Sequence, residues 1–115
     1  MNIKAFYFSI GSDYEEVLKR FGNGEIILEF VKSFAEDDSF SLLETAYNSG
    51  DVKTAFRAAH TLKGISLNLG FDNLYSASSE LTEFLRPCKD VNGSQNLFDA
   101  VKENYRDIID KISRL

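Results

Sequence analysis

Apolar residues recur at intervals of three and four along almost the whole of this 115-residue chain, and no stretch alternates strictly enough to predict a strand. Spacing of this kind places apolar side chains on one face of an α-helix. One proline and seven glycines leave few points at which a helix would be interrupted. The pattern therefore predicts an all-α fold.

Glycines and capping residues divide this pattern into separate helices. Ser12 and Glu15 have the spacing of a capping box, which indicates a helix start. Gly50 suits the left-handed residue that ends one helix, Asp51 suits the start of the next, and Gly70 is expected to end it. Because the connections are short, we expect an up-and-down antiparallel four-helix bundle with short additional N-terminal helices.

The length suits a single domain over residues 1–115. We expect short N-terminal helices over about residues 1–35, and a four-helix bundle core over about residues 36–115 with part of the preceding helices. Aromatic residues in the helical stripes are interpreted as core packing; they include Phe30, Phe34, Phe71 and Phe84.

Charge and composition exclude several classes of function. The formal net charge is -5 and no basic block is present, so we expect no nucleic-acid partner. The apolar runs are too short to cross a bilayer, and the first residues do not resemble a signal peptide, so we expect a cytoplasmic protein without a membrane partner. A single cysteine excludes an internal disulfide, no metal-ligand spacing is found, and a monomer is expected.

The predicted helix from about Asp51 to Leu69 carries the only histidine, His60. At about 100° per residue, His60 lies opposite the apolar stripe, on the solvent side, with Lys63 on its flank. An exposed glycine inside a helix costs about 1 kcal/mol relative to alanine, so Gly64 on the same outer face indicates close approach by another molecule. The opposite, core face is predicted to comprise Val52, Ala55, Ala59, Leu62, Ser66 and Leu69.

The segment Ala59–Gly64, followed by Gly70, resembles the signature of histidine phosphotransfer (HPt) domains. That signature reads His-x-hydrophobic-Lys-Gly with a second glycine six residues later, and the likeness in helix order extends over most of the chain. The resemblance implies that His60 accepts a phosphoryl group from a receiver-domain aspartate, or from a kinase, and passes it to a response-regulator aspartate. It assigns phosphate charge stabilisation to Lys63. We expect partner binding at Gly64, Leu67, Arg57 and Asn68.

The same resemblance implies a partner that supplies most of the chemistry. The expected partners are response-regulator receiver domains, with a hybrid sensor histidine kinase as a further candidate. No cofactor is expected on this chain, Mg²⁺ is expected in the receiver, and phosphotransfer activity would be shared with that receiver rather than autonomous. In the family, a polar side chain on the following helix commonly orients the imidazole; counting 22 residues from His60 gives Thr82, with Ser79 one turn before it.

Two other interpretations remain open. One is an adaptor that docks receivers on the same bundle without carrying phosphate, and the intact His60 argues against it. The other is a purely structural bundle, which leaves the exposed Gly64 beside His60 and Lys63 unexplained.

Overall fold

The computed structural model describes residues 1–115, which form seven α-helices and no strand, so the all-α prediction is confirmed. No helix combines the length and apolar character that crossing a membrane requires. The helices are α1 (Ile3–Ser9), α2 (Tyr14–Phe21), α3 (Gly24–Phe34), α4 (Ser39–Asn48), α5 (Val52–Leu69), α6 (Asp72–Leu85) and α7 (Gln95–Ile112).

Helices α4 to α7 form the predicted antiparallel four-helix bundle. Helix α5 packs between α4 and α6, and α6 packs in turn against α7. Helix α7 closes the bundle against α4, because the rings of Tyr47 and Phe98 stack with centroids 4.2 Å apart and Lys102 pairs with Glu44 at 2.8 Å. The result is an elongated molecule of 43 × 23 × 19 Å.

The short N-terminal helices contribute to the same hydrophobic core as the bundle. Phe6 and Tyr7 of α1 and Val17 of α2 are almost completely buried. The Phe6 ring packs against Phe71 at the α5–α6 turn with centroids 6.0 Å apart, and Phe34 of α3 approaches the same ring at 5.2 Å. Helix α1 is thus an integral part of the core.

Two of the aromatic residues interpreted as core packing are exposed. Phe34 and Phe71 are buried as predicted, whereas Phe30 is 51% exposed and Phe84 is 37% exposed. Both exposed rings lie at the edge of their helix's apolar stripe, about 60–80° from its centre at 100° per residue. The helices bury a narrower face than the sequence pattern suggests.

Both ends of α5 are capped as predicted. The Asp51 carboxylate accepts a hydrogen bond from the Thr54 amide at 3.1 Å, and Gly70 ends the helix with φ 72°. These two caps fix the rotational register of the residues between them.

The predicted capping box of α2 is wrong. Asp13 is the N-cap, and its carboxylate accepts from the Glu15 amide at 3.0 Å. The Ser12 hydroxyl instead accepts a hydrogen bond from the Asp72 amide at 3.2 Å, so its capping oxygen is used to join the N-terminal segment to α6.

Candidate functional site

Helix α5 has one buried face and one exposed face, and His60 lies on the exposed one. The predicted core residues of α5 are buried except Val52, which is half-buried, and Ala58 is buried as well. The His60 side chain makes no hydrogen bond within the protein. Its ring is therefore open to an incoming molecule.

Lys63 and Gly64 follow His60 by about one turn of α5. Lys63 is half-buried and Gly64 is exposed. A Cβ added at Gly64 would meet nothing within 4 Å, so nothing inside the protein requires glycine at this position. Since glycine weakens a helix interior and packing does not require it here, Gly64 is a candidate for contact with a molecule outside the chain.

A second group of side chains borders the imidazole on the α6 side. The Phe56 ring lies with its centroid 6.2 Å from that of His60. The Arg86 guanidinium lies over the Phe56 ring, 5.1 Å from its centroid, and pairs with Glu83 at 3.1 Å. An aromatic ring and an ion pair thus form one border of the site.

The charged side chains of this border interact with charged side chains of α5. A hydrogen bond from Arg86, and then its charge, lower the pKa of the Glu83 carboxyl, and the nearby charges of Lys63 and His60 act in the same direction. The imidazole therefore lies among two cationic side chains and one carboxylate. Phe56, Glu83 and Arg86 were not predicted from the sequence: the i,i+3 spacing of Glu83 and Arg86 predicts their pairing, but not their position beside His60.

A model of the Hpt domain family matches residues 25–113, from the start of α3 to the end of α7. The match includes the whole of α5 with its exposed histidine. The chain belongs to the Hpt domain family. Hpt domains act in histidine phosphotransfer within phosphorelays, where they interact with receiver domains and kinases. Searches of curated proteins and of solved structures found no significant match.

In the structure, no hydrogen bond joins Thr82 to the imidazole that it is predicted to orient. Thr82 is 0% exposed, and its hydroxyl donates to the Ser78 carbonyl at 2.6 Å. The hydroxyl is thus hydrogen-bonded within α6 and buried away from solvent. Ser79 is half-buried, and its side chain makes no hydrogen bond to His60 either.

The remaining residues predicted for partner binding lie on the surface of the Hpt domain. Arg57, Leu67 and Asn68 are exposed, and Leu67 is 54% exposed despite being apolar. Beside them, a groove of about 310 Å³ runs between α5 and the N-terminal helices. Its apolar lining includes Phe30, whose ring lies 5.3 Å from that of Phe21. The exposed face of α5 thus continues into an apolar groove.

No group of three or more His, Cys, Asp and Glu side chains is arranged to hold a metal ion. The chemistry available at the site is that of an exposed imidazole bordered by Lys63, Arg86 and Glu83.

Proposed function

We propose that His60 is the phosphoacceptor of a phosphocarrier, which takes a phosphoryl group from a receiver-domain aspartate and passes it to a response-regulator aspartate. The observation that carries the proposal is the exposed imidazole of His60 on a capped helix, beside Lys63 and next to a glycine with open space around it. A hybrid sensor histidine kinase is a further candidate donor.

The chemistry requires a neutral imidazole, whose ring nitrogen carries a free lone pair. Its lone pair attacks phosphorus, an N–P bond forms, and the O–P bond of the aspartyl phosphate breaks with release of the carboxylate. Delivery to the second aspartate reverses these bond changes. Phosphoryl transfer depends mainly on in-line positioning and charge neutralisation, so the receiver supplies Mg²⁺ and this chain supplies a positioned nucleophile.

Lys63 supplies positive charge near the phosphoryl oxygens, and Gly64 allows the receiver to approach the backbone of α5. Leu67, Arg57 and Asn68 contact the receiver around this point. Exposed apolar area next to a reactive side chain is typical of an interaction surface. We also propose that the protein acts as a monomer in the cytoplasm, where receiver domains operate.

Incubation with a phosphorylated receiver tests the proposal. We expect acid-labile phosphate on the wild-type protein and none on His60→Gln, because glutamine keeps the polar bulk but has no nucleophilic ring nitrogen. Circular dichroism of both proteins controls for the fold. Equal labelling of His60→Gln would remove His60 from the mechanism.

The same samples test the adaptor interpretation. A wild-type protein that binds the receiver but remains unlabelled would act by docking alone. If several receivers neither bind nor label the wild-type protein, the result supports the purely structural interpretation.

A further inference from the structure

Side chains from α1 and α2 hold the last turn of α5. The Tyr7 hydroxyl donates to the Leu69 carbonyl at 2.6 Å. The Arg20 guanidinium donates from one nitrogen to the carbonyls of Leu67 and Asn68, at 2.7 and 2.8 Å. Both donors precede residue 25, where the family match begins. The two donors therefore lie outside the part of the chain that the family model matches.

The α5–α6 turn is held by the same N-terminal segment. The Asn73 amide group donates to the Ile10 carbonyl at 3.2 Å. A Cβ at Gly70 would collide with Val17 Cγ2, so the glycine allows α2 to pack directly on the turn. The N-terminal helices thus contact both the end of α5 and the residues that follow it.

These contacts matter because the last carbonyls of a helix have no partner within it. After α5, the amides of Gly70 and Phe71 reach only the carbonyls of Leu67 and Ser66. The Asn68 carbonyl receives its hydrogen bond from Arg20. A guanidinium at this place also complements the negative end of the helix dipole and forms charge-assisted hydrogen bonds.

We infer that Arg20 is a positioning residue for receiver docking, which holds Leu67 and Asn68 in place through their backbone carbonyls. The inference rests on the proposed function, since Leu67 and Asn68 lie on the proposed docking face. Arg20 acts on the geometry of this face and not on the reaction at His60. Its loss should therefore weaken receiver recognition and leave the reactivity of the imidazole unchanged.

The test compares Arg20→Met with Lys19→Met. Each variant removes one positive charge from α2, but the Lys19 ammonium pairs with Glu16 and makes no hydrogen bond or ion pair with α5. With a phosphorylated receiver as substrate, we expect KM to rise about threefold to tenfold in Arg20→Met, with kcat nearly unchanged. Lys19→Met should keep the wild-type KM, and Arg20→Lys should recover part of it.

Two further readouts separate positioning from direct contact. Labelling by phosphoramidate, a small donor that needs no docking surface, should proceed at the wild-type rate in Arg20→Met. In the free protein, the amides of Gly70 and Phe71 should exchange hydrogen faster in Arg20→Met, while amides in the middle of α5 keep their protection.

The outcomes distinguish this inference from the proposed function. A wild-type protein that receives no phosphate refutes the proposed function. A wild-type protein that transfers normally, with an unchanged KM in Arg20→Met, overturns the role of Arg20 alone. A raised KM with unchanged exchange at Gly70 and Phe71 overturns positioning as well, because Arg20 would then contact the receiver directly.

Discussion

Around His60, one carboxylate lies among cationic side chains. Glu83 pairs with Arg86 and is also influenced by the charges of Lys63 and His60. A phosphoryl group on His60 would add negative charge to this neighbourhood and would be repelled by Glu83. If His60 is the phosphoacceptor proposed above, the Glu83–Arg86 pair should affect how much of the protein is phosphorylated at equilibrium.

Replacing Glu83 by Gln should favour the phosphorylated carrier. The change removes the repelling charge and frees Arg86, so we expect the equilibrium ratio of phosphorylated to unphosphorylated protein to rise about twofold at low salt. The ratio is measured by mixing each variant with a phosphorylated receiver. Glu80→Gln, which removes an exposed carboxylate from the same helix, is the matched control. Equal ratios in the two variants would contradict a specific effect of Glu83.

The residues of the site differ in how far the sequence predicts them. His60 and Gly64 lie on the exposed face as expected because they share one helix, whose caps fix its rotation. Glu83 and Arg86 belong to another helix, and their position depends on how α6 packs against α5. Thr82 was assigned by counting residues from His60. An error of one residue in such a count rotates the side chain about the helix axis by about 100°.

At the scale of the helix, α5 carries an exposed histidine next to a glycine that weakens the helix. Its exposed Gly64 lowers helix propensity in the middle of the helix, while the caps at Asp51 and Gly70 stabilise its ends. Glycine at position 64 thus leaves open space beside the helix but lowers the stability of α5.

Substitutions at Gly64 should separate stability from transfer. Gly64→Ala should raise the free energy of unfolding by about 0.5–1 kcal/mol, because alanine is the better helix former and its Cβ meets no neighbour. Gly64→Gln should also fold, but its bulk should lower kcat/KM with a receiver well below that of Gly64→Ala. Urea denaturation and transfer kinetics on the two variants measure both effects. Normal transfer by a folded Gly64→Gln would mean that the glycine does not serve docking.

The positions of the helices are predicted better than the contacts between them. Periodicity and the Gly50–Asp51 and Gly70 signals located α5, because those signals act within a few residues. The same local pattern did not show that Phe30 would border a groove, since its exposure depends on how closely α3 packs against α5.

In the whole molecule, the N-terminal helices close one end of the bundle. Tyr7 is completely buried and bonds to the Leu69 carbonyl, and burial raises the pKa of its phenol. The folded state therefore favours the protonated phenol. Its stabilising contribution is complete below the pKa of the unfolded chain, about 10, and is lost as pH rises above that value.

Replacing Tyr7 by Phe should change stability in two ways. At neutral pH, loss of the hydrogen bond should lower the free energy of unfolding by about 1 kcal/mol. Above pH about 10, the wild-type protein should lose stability more steeply than Tyr7→Phe, because only in the wild type does unfolding expose this phenol to ionisation.

Urea denaturation at neutral and alkaline pH measures both effects. Tyr75→Phe, which removes a hydroxyl that makes no hydrogen bond, is the control. Parallel stability curves for the wild type and Tyr7→Phe above pH about 10 would contradict the assignment.

The first and last residues of the domain lie side by side at one end of the bundle. The Met1 ammonium donates to the Arg114 carbonyl at 3.1 Å, and Lys111 donates to the Ser9 carbonyl at 2.8 Å. A short peptide would be enough to join the ends into a ring, and new ends could then be opened in the exposed connection between α6 and α7. By the same geometry, the fold is suited to insertion into a loop of a host protein, with entry and exit side by side.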